Sequence, residues 1–358
     1  MANLNTLPIL DGHNDTLLRL HSAEKGQPRS FFEESDQGHL DLPRARRGGF
    51  AGGFFAIFPP APKPAPSMRE RLVISETGYE VLPFPALDPA YAQRVTLAVA
   101  ARLFQLERES AGQVKVVRSV ADLTRCLQEQ VLAAILHFEG AEAIDPDLDA
   151  LEVFYQAGLR SLGIVWSRPN AFGHGVPFKY PHSPDTGPGL TEAGQALVRA
   201  CNRLGILLDL AHLNEQGFWD VARLSDAPLV VTHAAAHALC PSTRNLTDRQ
   251  LDAIKASEGM VGVIFEVGNL RADAANDANT PLDVIVQHLD YLIEHVGIDG
   301  VGFGSDFDGG ITVPQELGDV AGLPKLIAAL RARGYDEAAL RKITHENWLR
   351  VLGKTWRA

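Results

Sequence analysis

Five side chains suited to holding divalent metal ions stand just past apolar runs of this sequence. His13 and Asp15 follow the run Leu7 to Leu10, in Asp-Gly-His13-Asn-Asp15, and two-residue spacing on an extended chain turns both to the same side. Imidazole with carboxylate is a zinc-type donor set, although a His-x-Asp pair by itself is commonplace in loops. Glu139 comes straight after Leu132 to Phe138. A carboxylate buried at such a point is costly unless it is paired or bound to a metal. His137 shares the parity of Glu139 but lies one layer deeper, which suits a supporting or core histidine. His212 closes Ile206 to Ala211, and His233 closes Leu229 to Thr232 one strand-helix-strand step later. One such histidine would ordinarily be a hydrogen-bonded core residue. Two of them, with His13, Asp15 and Glu139, make five ligands, enough for two metals if Glu139 bridges. Two zinc ions about 3.5 to 4 Å apart can hold a hydroxide between them. Asp306 follows Val301 to Gly304 in Gly304-Ser-Asp306-Phe-Asp308-Gly309-Gly310. An acid there without a metal to hold is a candidate proton carrier, whereas Asp308, further into the turn, reads as an Asx-type cap.

For these residues to meet, their runs must be parallel strands whose C-terminal ends share one face. Eight runs qualify: Leu7 to Leu10, Ala51 to Phe58, Leu132 to Phe138, Arg160 to Trp166, Ile206 to Ala211, Leu229 to Thr232, Met260 to Phe265 and Val301 to Gly304. Short, continuously apolar runs mark parallel strands buried on both faces. Helical periodicity fills most of the intervals, over Pro89 to Glu109, Val120 to Glu129, Leu148 to Gln156, Thr191 to Leu204, Asn214 to Leu224, Thr247 to Ser257, Pro281 to His295 and Val320 to Arg333. Thr191 and Thr247 read as helix N-caps, and Gly158, Gly205 and Gly334 stand just past helix ends. Eight is the strand number of the (β/α)8 TIM-type barrel, whose active sites gather at the C-terminal face. A doubly wound sheet alternates similarly but does not account for polar residues after so many strands. The expectation is one barrel domain over residues 1–358, with Asp336 to Leu352 as a C-terminal helix.

The net charge of −11 disfavours nucleic acid and anionic membrane as partners. A small-molecule substrate is expected instead, and a homodimer stays open. With 46% hydrophobic and 22% charged residues, the chain has the make-up of a globular protein able to bury a sizeable core. Cys126, Cys201 and Cys240, odd in number and far apart, read as reduced buried thiols. Met1 to Pro8 lacks a basic segment followed by an apolar run, and no stretch of about 20 uninterrupted apolar residues is present. Leu349 to Ala358 is charged rather than anchor-like. The reading is a cytoplasmic protein.

Taken together, DGHND, HFEG, the Ala-His and Thr-His pair, STRN and GSDFDG resemble the membrane (renal) dipeptidase family, peptidase family M19 of the amidohydrolase superfamily, along nearly the whole chain. The resemblance implies a barrel of the metal-dependent hydrolase type with two zinc ions per chain, bridged by Glu139 and a hydroxide. It implies the same five ligands, His13, Asp15, Glu139, His212 and His233, and catalytic roles for Glu139 and for Asp306, the latter also touching substrate. It makes Arg244, in Ser242-Thr-Arg244-Asn245, the group that grips the substrate carboxylate, a task suited to the guanidinium fork. Read without the family, Arg244 is a solvated surface arginine, and Arg168 and Lys179 are the nearest basic alternatives for that carboxylate. One position departs from the pattern. Members resembling the kidney enzyme carry a substrate-contacting histidine after strand four, and the aligned residue here is Trp166, which leaves the oxyanion contact without its histidine. His174, in the long loop Ser167 to Leu190, is a candidate stand-in, with a surface histidine as the plainer reading.

The expected function is zinc-dependent hydrolysis of dipeptides, L-Xaa-D-Xaa or L-Xaa-L-Xaa, with Asp306 taking the water proton and passing it to the leaving amine. The same centre would serve an amidohydrolase acting on N-acyl amino acids or other carboxylated amides, the alternative that Trp166 motivates. A non-catalytic metal-binding member is the third reading, and Asp306 argues against it, because a pure binder has no use for an uncoordinated acid.

Overall fold

The computed structural model describes residues 7–22 and 29–357. Most of the segment read for a leader, residues 1–6, and the terminal residue 358 lie outside the described residues. Eight parallel strands close into a barrel: β1 (Ile9–Asn14), β2 (Phe50–Ile57), β3 (Leu132–Glu139), β4 (Leu159–Gly163), β5 (Leu207–Asp209), β6 (Val230–Ala234), β7 (Met260–Val263) and β8 (Val301–Phe303). Neighbours run β2-β1-β8-β7-β6-β5-β4-β3, and β3 pairs back to β2 from Gly52↔Ala133 to Ile57↔Phe138. Each of the eight apolar runs overlaps one barrel strand, so the (β/α)8 expectation is met. β1 starts only at Ile9, after Pro8, which has no amide to give to a ladder.

Two apolar layers hold the barrel. Outward-facing residues such as Phe55, Leu136, Phe138 and Val231 pack in one cluster with Leu103, Leu197, Leu251 and Leu289 of the surrounding helices. A second cluster gathers Leu10, Phe54, Ile135, Leu207, Val230 and Met260 with Trp348, Val351 and Leu352 of the C-terminal helix, which plugs the barrel. Trp348 is fully buried and its indole Nε1 donates to Phe303 O at 3.2 Å. Gly12 makes room for it, since a Cβ at that position would stand 2.5 Å from the indole and 2.4 Å from Thr232 O.

Helix ends follow local chemistry. The Thr191 hydroxyl accepts from Gly194 N at 3.0 Å, and Gly158, Gly205 and Gly334 end their helices at φ +121°, +73° and +109°. The C-terminal segment departs from the single helix expected over Asp336 to Leu352. It is Glu337–Arg341, a π-helical turn Lys342–Glu346, and Asn347–Thr355. The Asn347 amide donates to Ile298 O and Val301 O at 2.7 and 2.8 Å, fastening the chain beneath β8 where the turn widens.

Elements too short to show a period escaped the sequence reading. A three-stranded antiparallel sheet joins Leu72–Ile74, Tyr79–Val81 and Lys179–Tyr180, so the loop Ser167 to Leu190 contributes a strand. Val114–Val116 pairs in parallel beside β3. Cys126, Cys201 and Cys240 are buried and unpaired. Among the described residues no helix is long and apolar enough to cross a membrane.

Replacing Trp348 by Ala should empty the barrel floor and cost about 3–5 kcal/mol of stability, the scale for deleting a buried indole. Urea unfolding followed by circular dichroism measures it, and a loss below about 1 kcal/mol would mean that the plug is dispensable.

Candidate active site

The residues expected as ligands converge at the C-terminal mouth, on strand ends whose pairing is irregular. Register shifts fall between Asp11 and Asn14 of β1, between Leu136 and His137 of β3, and between Val231 and Ala234 of β6. Such bulges re-aim side chains, and here they fall where β1, β3 and β6 deliver His13, Glu139 and His233. His212, past β5, has φ +65°, and Asp306, past β8, has φ +61°. For residues other than glycine these are costly conformations, of the kind held at functional sites.

Glu139 is the hub. Its Oε1 lies 3.0 Å from His212 Nε2, 3.8 Å from His13 Nε2 and 3.8 Å from His233 Nε2. His13 Nε2 is in turn 3.5 Å from Asp15 Oδ2. The donor atoms of His13, Asp15 and Glu139 lie within 4.8 Å of one another, as do those of Glu139, His212 and His233, so Glu139 belongs to both triads. Asp209 falls within the same reach of His13 and His233, but its oxygens are already engaged with Thr232.

The chemistry of the donor set fits metal ions. Both ring nitrogens of His13 and Oδ1 of Asp15 are buried without a hydrogen-bond partner. His212 Nε2 and His233 Nε2 face each other at 3.2 Å. Thr232 has one hydroxyl proton, which goes to Asp209 Oδ2 at 2.6 Å, so the same oxygen accepts from His233 Nδ1 at 2.9 Å. That network assigns the proton of His233 to Nδ1 and leaves an Nε2 lone pair aimed at the centre. His212 Nδ1 meets Ser167 Oγ at 2.8 Å in the same way.

Electrostatics favour added positive charge at this centre. Burial, then the Asp15 carboxylate, pushes Glu139 up to about 8. Burial and the same neighbour raise Asp306 well above the usual carboxylate range. Burial alone would lower His13, but the carboxylates of Glu139 and Asp15 outweigh it and raise the imidazole to about 10. Burial drives His212 and His233 well below the ordinary histidine value. Buried acids holding on to protons beside the neutral imidazoles of His212 and His233 are what divalent cations would resolve, since a cation ionises the acids and uses the lone pairs.

Asp306 stands beside the hub, outside both donor triads. Its backbone N donates to His13 O at 3.0 Å, and a Cβ on Gly309 would collide with its Oδ1 and with Asp15 Oδ2, at 2.1 and 2.8 Å. The preceding Ser305 gives its amide and hydroxyl to Asp11 at 2.7 and 2.8 Å. Asp11, Asp209, Thr232 and Ser167 were assigned no role from sequence. Asp11 alone carried a signal, the two-residue spacing it shares with His13 and Asp15.

Arg244 is buried rather than solvated, which corrects the reading of it as a surface arginine. The reason is tertiary: Thr243 N donates to Lys179 O at 3.1 Å and Lys179 N to Thr243 Oγ1 at 3.2 Å, so the antiparallel sheet is tied to this loop. Arg244 Nη2 donates to His233 O at 3.2 Å. Burial lowers its pKa, opposed first by Asp306 and then by Glu139. The basic alternatives are committed elsewhere, Arg168 to Glu142 Oε1 at 2.6 Å and Lys179 to Glu80 at 3.2 Å. Trp166 is partly buried, its ring 5.9 Å from that of His212 and between 4.9 and 5.4 Å from Phe58, Phe84 and Phe178. His137 sits deeper, its Nδ1 2.9 Å from Ser161 Oγ and its ring edge-on to His13. His174 is partly buried and belongs to neither donor triad. Asp308 is no Asx cap: at φ +68° its carboxylate turns away from its own turn and accepts from Thr16 Oγ1 at 3.0 Å and His39 N at 2.6 Å.

A closed (β/α)8 barrel with histidines and carboxylates clustered at its C-terminal mouth defines a metal-dependent hydrolase. The chain belongs to the membrane dipeptidase family, peptidase family M19, whose model matches residues 2–357, as the motifs DGHND through GSDFDG led us to expect. A solved structure described as dipeptidase AC, a metallopeptidase of family M19, is 53% identical with a TM-score of 0.93, covering 99% of this chain and 100% of its own. A metallopeptidase from Rhodobacter sphaeroides, liganded with a phosphinate mimic of the dipeptide L-Ala-D-Ala, is 52% identical with a TM-score of 0.92, covering 98% and 100%. The uncharacterized protein in the pqqA 5′ region of Klebsiella pneumoniae is 53% identical over 254 residues, 71% of this chain and 93% of its own.

Proposed function

We propose that this chain hydrolyses dipeptides using two zinc ions, one held by His13 and Asp15, the other by His212 and His233, with Glu139 shared. The observation that carries this reading is the common approach of three histidines to Glu139 Oε1, with Arg244 buried against the same centre. When bound, the zinc pair would polarise the scissile carbonyl and supply a reactive water at neutral pH. Asp306 takes the proton of the attacking water and returns it to the leaving amine, a task that its place beside the hub and outside the donor triads suits. Arg244 holds the substrate's free carboxylate with its guanidinium. Trp166, with Phe58, Phe84 and Phe178, forms an aromatic wall against substrate beside His212. The phosphinate mimic of L-Ala-D-Ala bound by the R. sphaeroides metallopeptidase supports an L-Xaa-D-Xaa substrate for this chain.

The same aromatic wall favours a second reading, an amidohydrolase acting on N-acyl amino acids, because it offers apolar surface where kidney-like members are expected to carry a histidine. Assay of the zinc-loaded protein against dipeptides and N-acyl amino acids separates the two, and turnover of neither would return the chain to a non-catalytic metal binder.

Elemental analysis should find about two zinc ions per chain, since five ligands exceed one tetrahedral site, and Glu139→Gln should weaken both sites together. At most one zinc after loading, or loss of only one in the variant, contradicts the shared-ligand arrangement. Asp306→Asn should keep its zinc while kcat falls by about 10² or more; near-normal turnover removes Asp306 from proton transfer, and loss of zinc makes it a ligand. Wild type should prefer a dipeptide over its C-terminal amide by at least about tenfold, because an unpaired buried arginine is costly. Arg244→Met should abolish that preference, and a variant that discriminates as sharply as wild type would assign carboxylate reading to another residue.

A further inference from the structure

Four aromatic side chains with exposed surface stand together on one side of the mouth. The rings of Phe58, Phe84 and Phe178 lie 4.9, 4.9 and 5.4 Å from the ring of Trp166, and all four residues are only partly buried. This wall reaches the donor set, because Trp166 and Phe178 meet the His212 ring at 5.9 and 6.0 Å. Apolar surface left open beside convergent polar groups is the make-up of a binding pocket rather than of a core.

Barrel topology decides which part of a dipeptide meets the wall. In the closed order β2-β1-β8-β7-β6-β5-β4-β3, β2 stands opposite β6 and β4 stands opposite β8. Phe58 follows β2 directly and Trp166 follows β4 by three residues, whereas Arg244 belongs to the loop after β6 and Asp306 to the turn after β8. With its carboxylate on Arg244 and its scissile carbonyl at the hub, a substrate spans the mouth from the β6 side toward β2 and β4. Its N-terminal residue, the half farther from Arg244, then lies against the aromatic rings.

The charges around the rings narrow the choice of side chain. The Arg168 guanidinium lies 4.8 Å from the centre of the Phe58 ring and 5.3 Å from that of Trp166, and the Arg71 guanidinium lies 5.0 Å from that of Phe84. An open aromatic box attracts cations, but three of these four rings already carry one, so a lysine or arginine side chain would meet like charge. Arg168 does not invite an acid instead, because it is buried and Glu142 meets its charge at 2.6 Å. A neutral apolar side chain is the one that suits both the rings and the charges.

We propose that the wall of Phe58, Phe84, Trp166 and Phe178 is the pocket for the side chain of the substrate's N-terminal residue, and that it selects a large neutral apolar one over alanine and over lysine. This inference rests on the dipeptidase reading, which makes Arg244 the holder of the carboxylate.

Two measurements on the full-length, zinc-loaded protein test it. Kinetics compare L-Phe-D-Ala, L-Lys-D-Ala and L-Ala-D-Phe with L-Ala-D-Ala, and calorimetric titration with phosphinate mimics of L-Phe-D-Ala and L-Ala-D-Ala reads the pocket without turnover. In wild type, kcat/KM for L-Phe-D-Ala should exceed that for L-Ala-D-Ala by about tenfold or more, the scale of burying one aromatic side chain. L-Lys-D-Ala and L-Ala-D-Phe should show no such gain, and the L-Phe mimic should bind more tightly than the L-Ala mimic by a factor similar to that in kcat/KM. Trp166→Ala should bring the Phe-to-Ala ratio down toward one in both measurements. Phe84→Ala, a change on the connection after β2, should lower it severalfold with zinc content and melting temperature held at the wild-type values. Turnover of no dipeptide together with binding of neither mimic would sink the dipeptidase reading and this proposal with it. Turnover or binding without the L-Phe preference, an equal gain for L-Lys-D-Ala, a preference that survives both substitutions, or a gain for L-Ala-D-Phe that Trp166→Ala removes would overturn the proposal alone.

Discussion

Everything at the mouth of this barrel depends on burying one carboxylate where water cannot reach it. Glu139 ends a strand that is buried throughout and apolar from Leu132 to Leu136, so its charge enters a region that penalises charge. Three imidazoles surround a single oxygen of it, and two of them present lone pairs toward each other. His212 and His233, kept neutral by burial, do not compensate an anion, and the buried Glu139 and Asp306 hold their protons more tightly than free acids. Divalent cations reconcile all of these demands together, and the family to which the chain belongs supplies the chemical context for them.

The second tier of residues serves to keep those demands in register. Asp209, buried between Leu208 and Leu210, is held at the floor of the mouth by Thr232 N, Thr232 Oγ1 and Ala211 N at 2.8, 2.6 and 3.0 Å. Through Thr232 it decides which nitrogen of His233 is free. Asp11 does comparable work across the β1–β8 seam, gripping Ser305 so that Asp306 begins its left-handed turn from a fixed point. These are hydrogen bonds between buried groups, which are costly to break on one side only. The centre is therefore rigid before any ligand arrives, the state in which electrostatic stabilisation is most effective.

The antiparallel sheet adds what the barrel lacks. Its strands come from the long connection after β2 and from the loop after β4, and it is tied to the loop that carries Arg244. Burying that arginine next to acids turns a side chain that water would otherwise satisfy into one that demands a partner. The aromatic rings of Phe58, Phe84 and Phe178 come from the same connections and pack on Trp166, and Trp166 and Phe178 also meet the His212 ring. Under the proposed function, recognition sits on inserted segments and loops while the metal donors sit on barrel strand ends, the usual division of labour in this architecture.

The sequence by itself determined the eight strands, most helices and the metal-type side chains that gather at the mouth, because each is written in local pattern: continuous apolar runs, helical periodicity, and such side chains directly after a run. His13, Asp15, Glu139, His212 and His233 were legible for that reason. What it left open was every feature made by contact between distant segments. Arg244 read as solvated because nothing near it in the chain reveals that Thr243 is pinned to Lys179. Asp308 read as a local cap because its partners, Thr16 and His39, are 292 and 269 residues away in the chain and are brought to it only by the pairing of β1 with β8. Asp209 and Thr232 gave no signal, since their part in orienting His233 depends on β5 and β6 being neighbours. Local pattern decides which residues arrive at the mouth. Only the closed barrel decides which of their atoms are buried, and burial is what turns an ordinary aspartate, histidine or arginine into a group with one possible use.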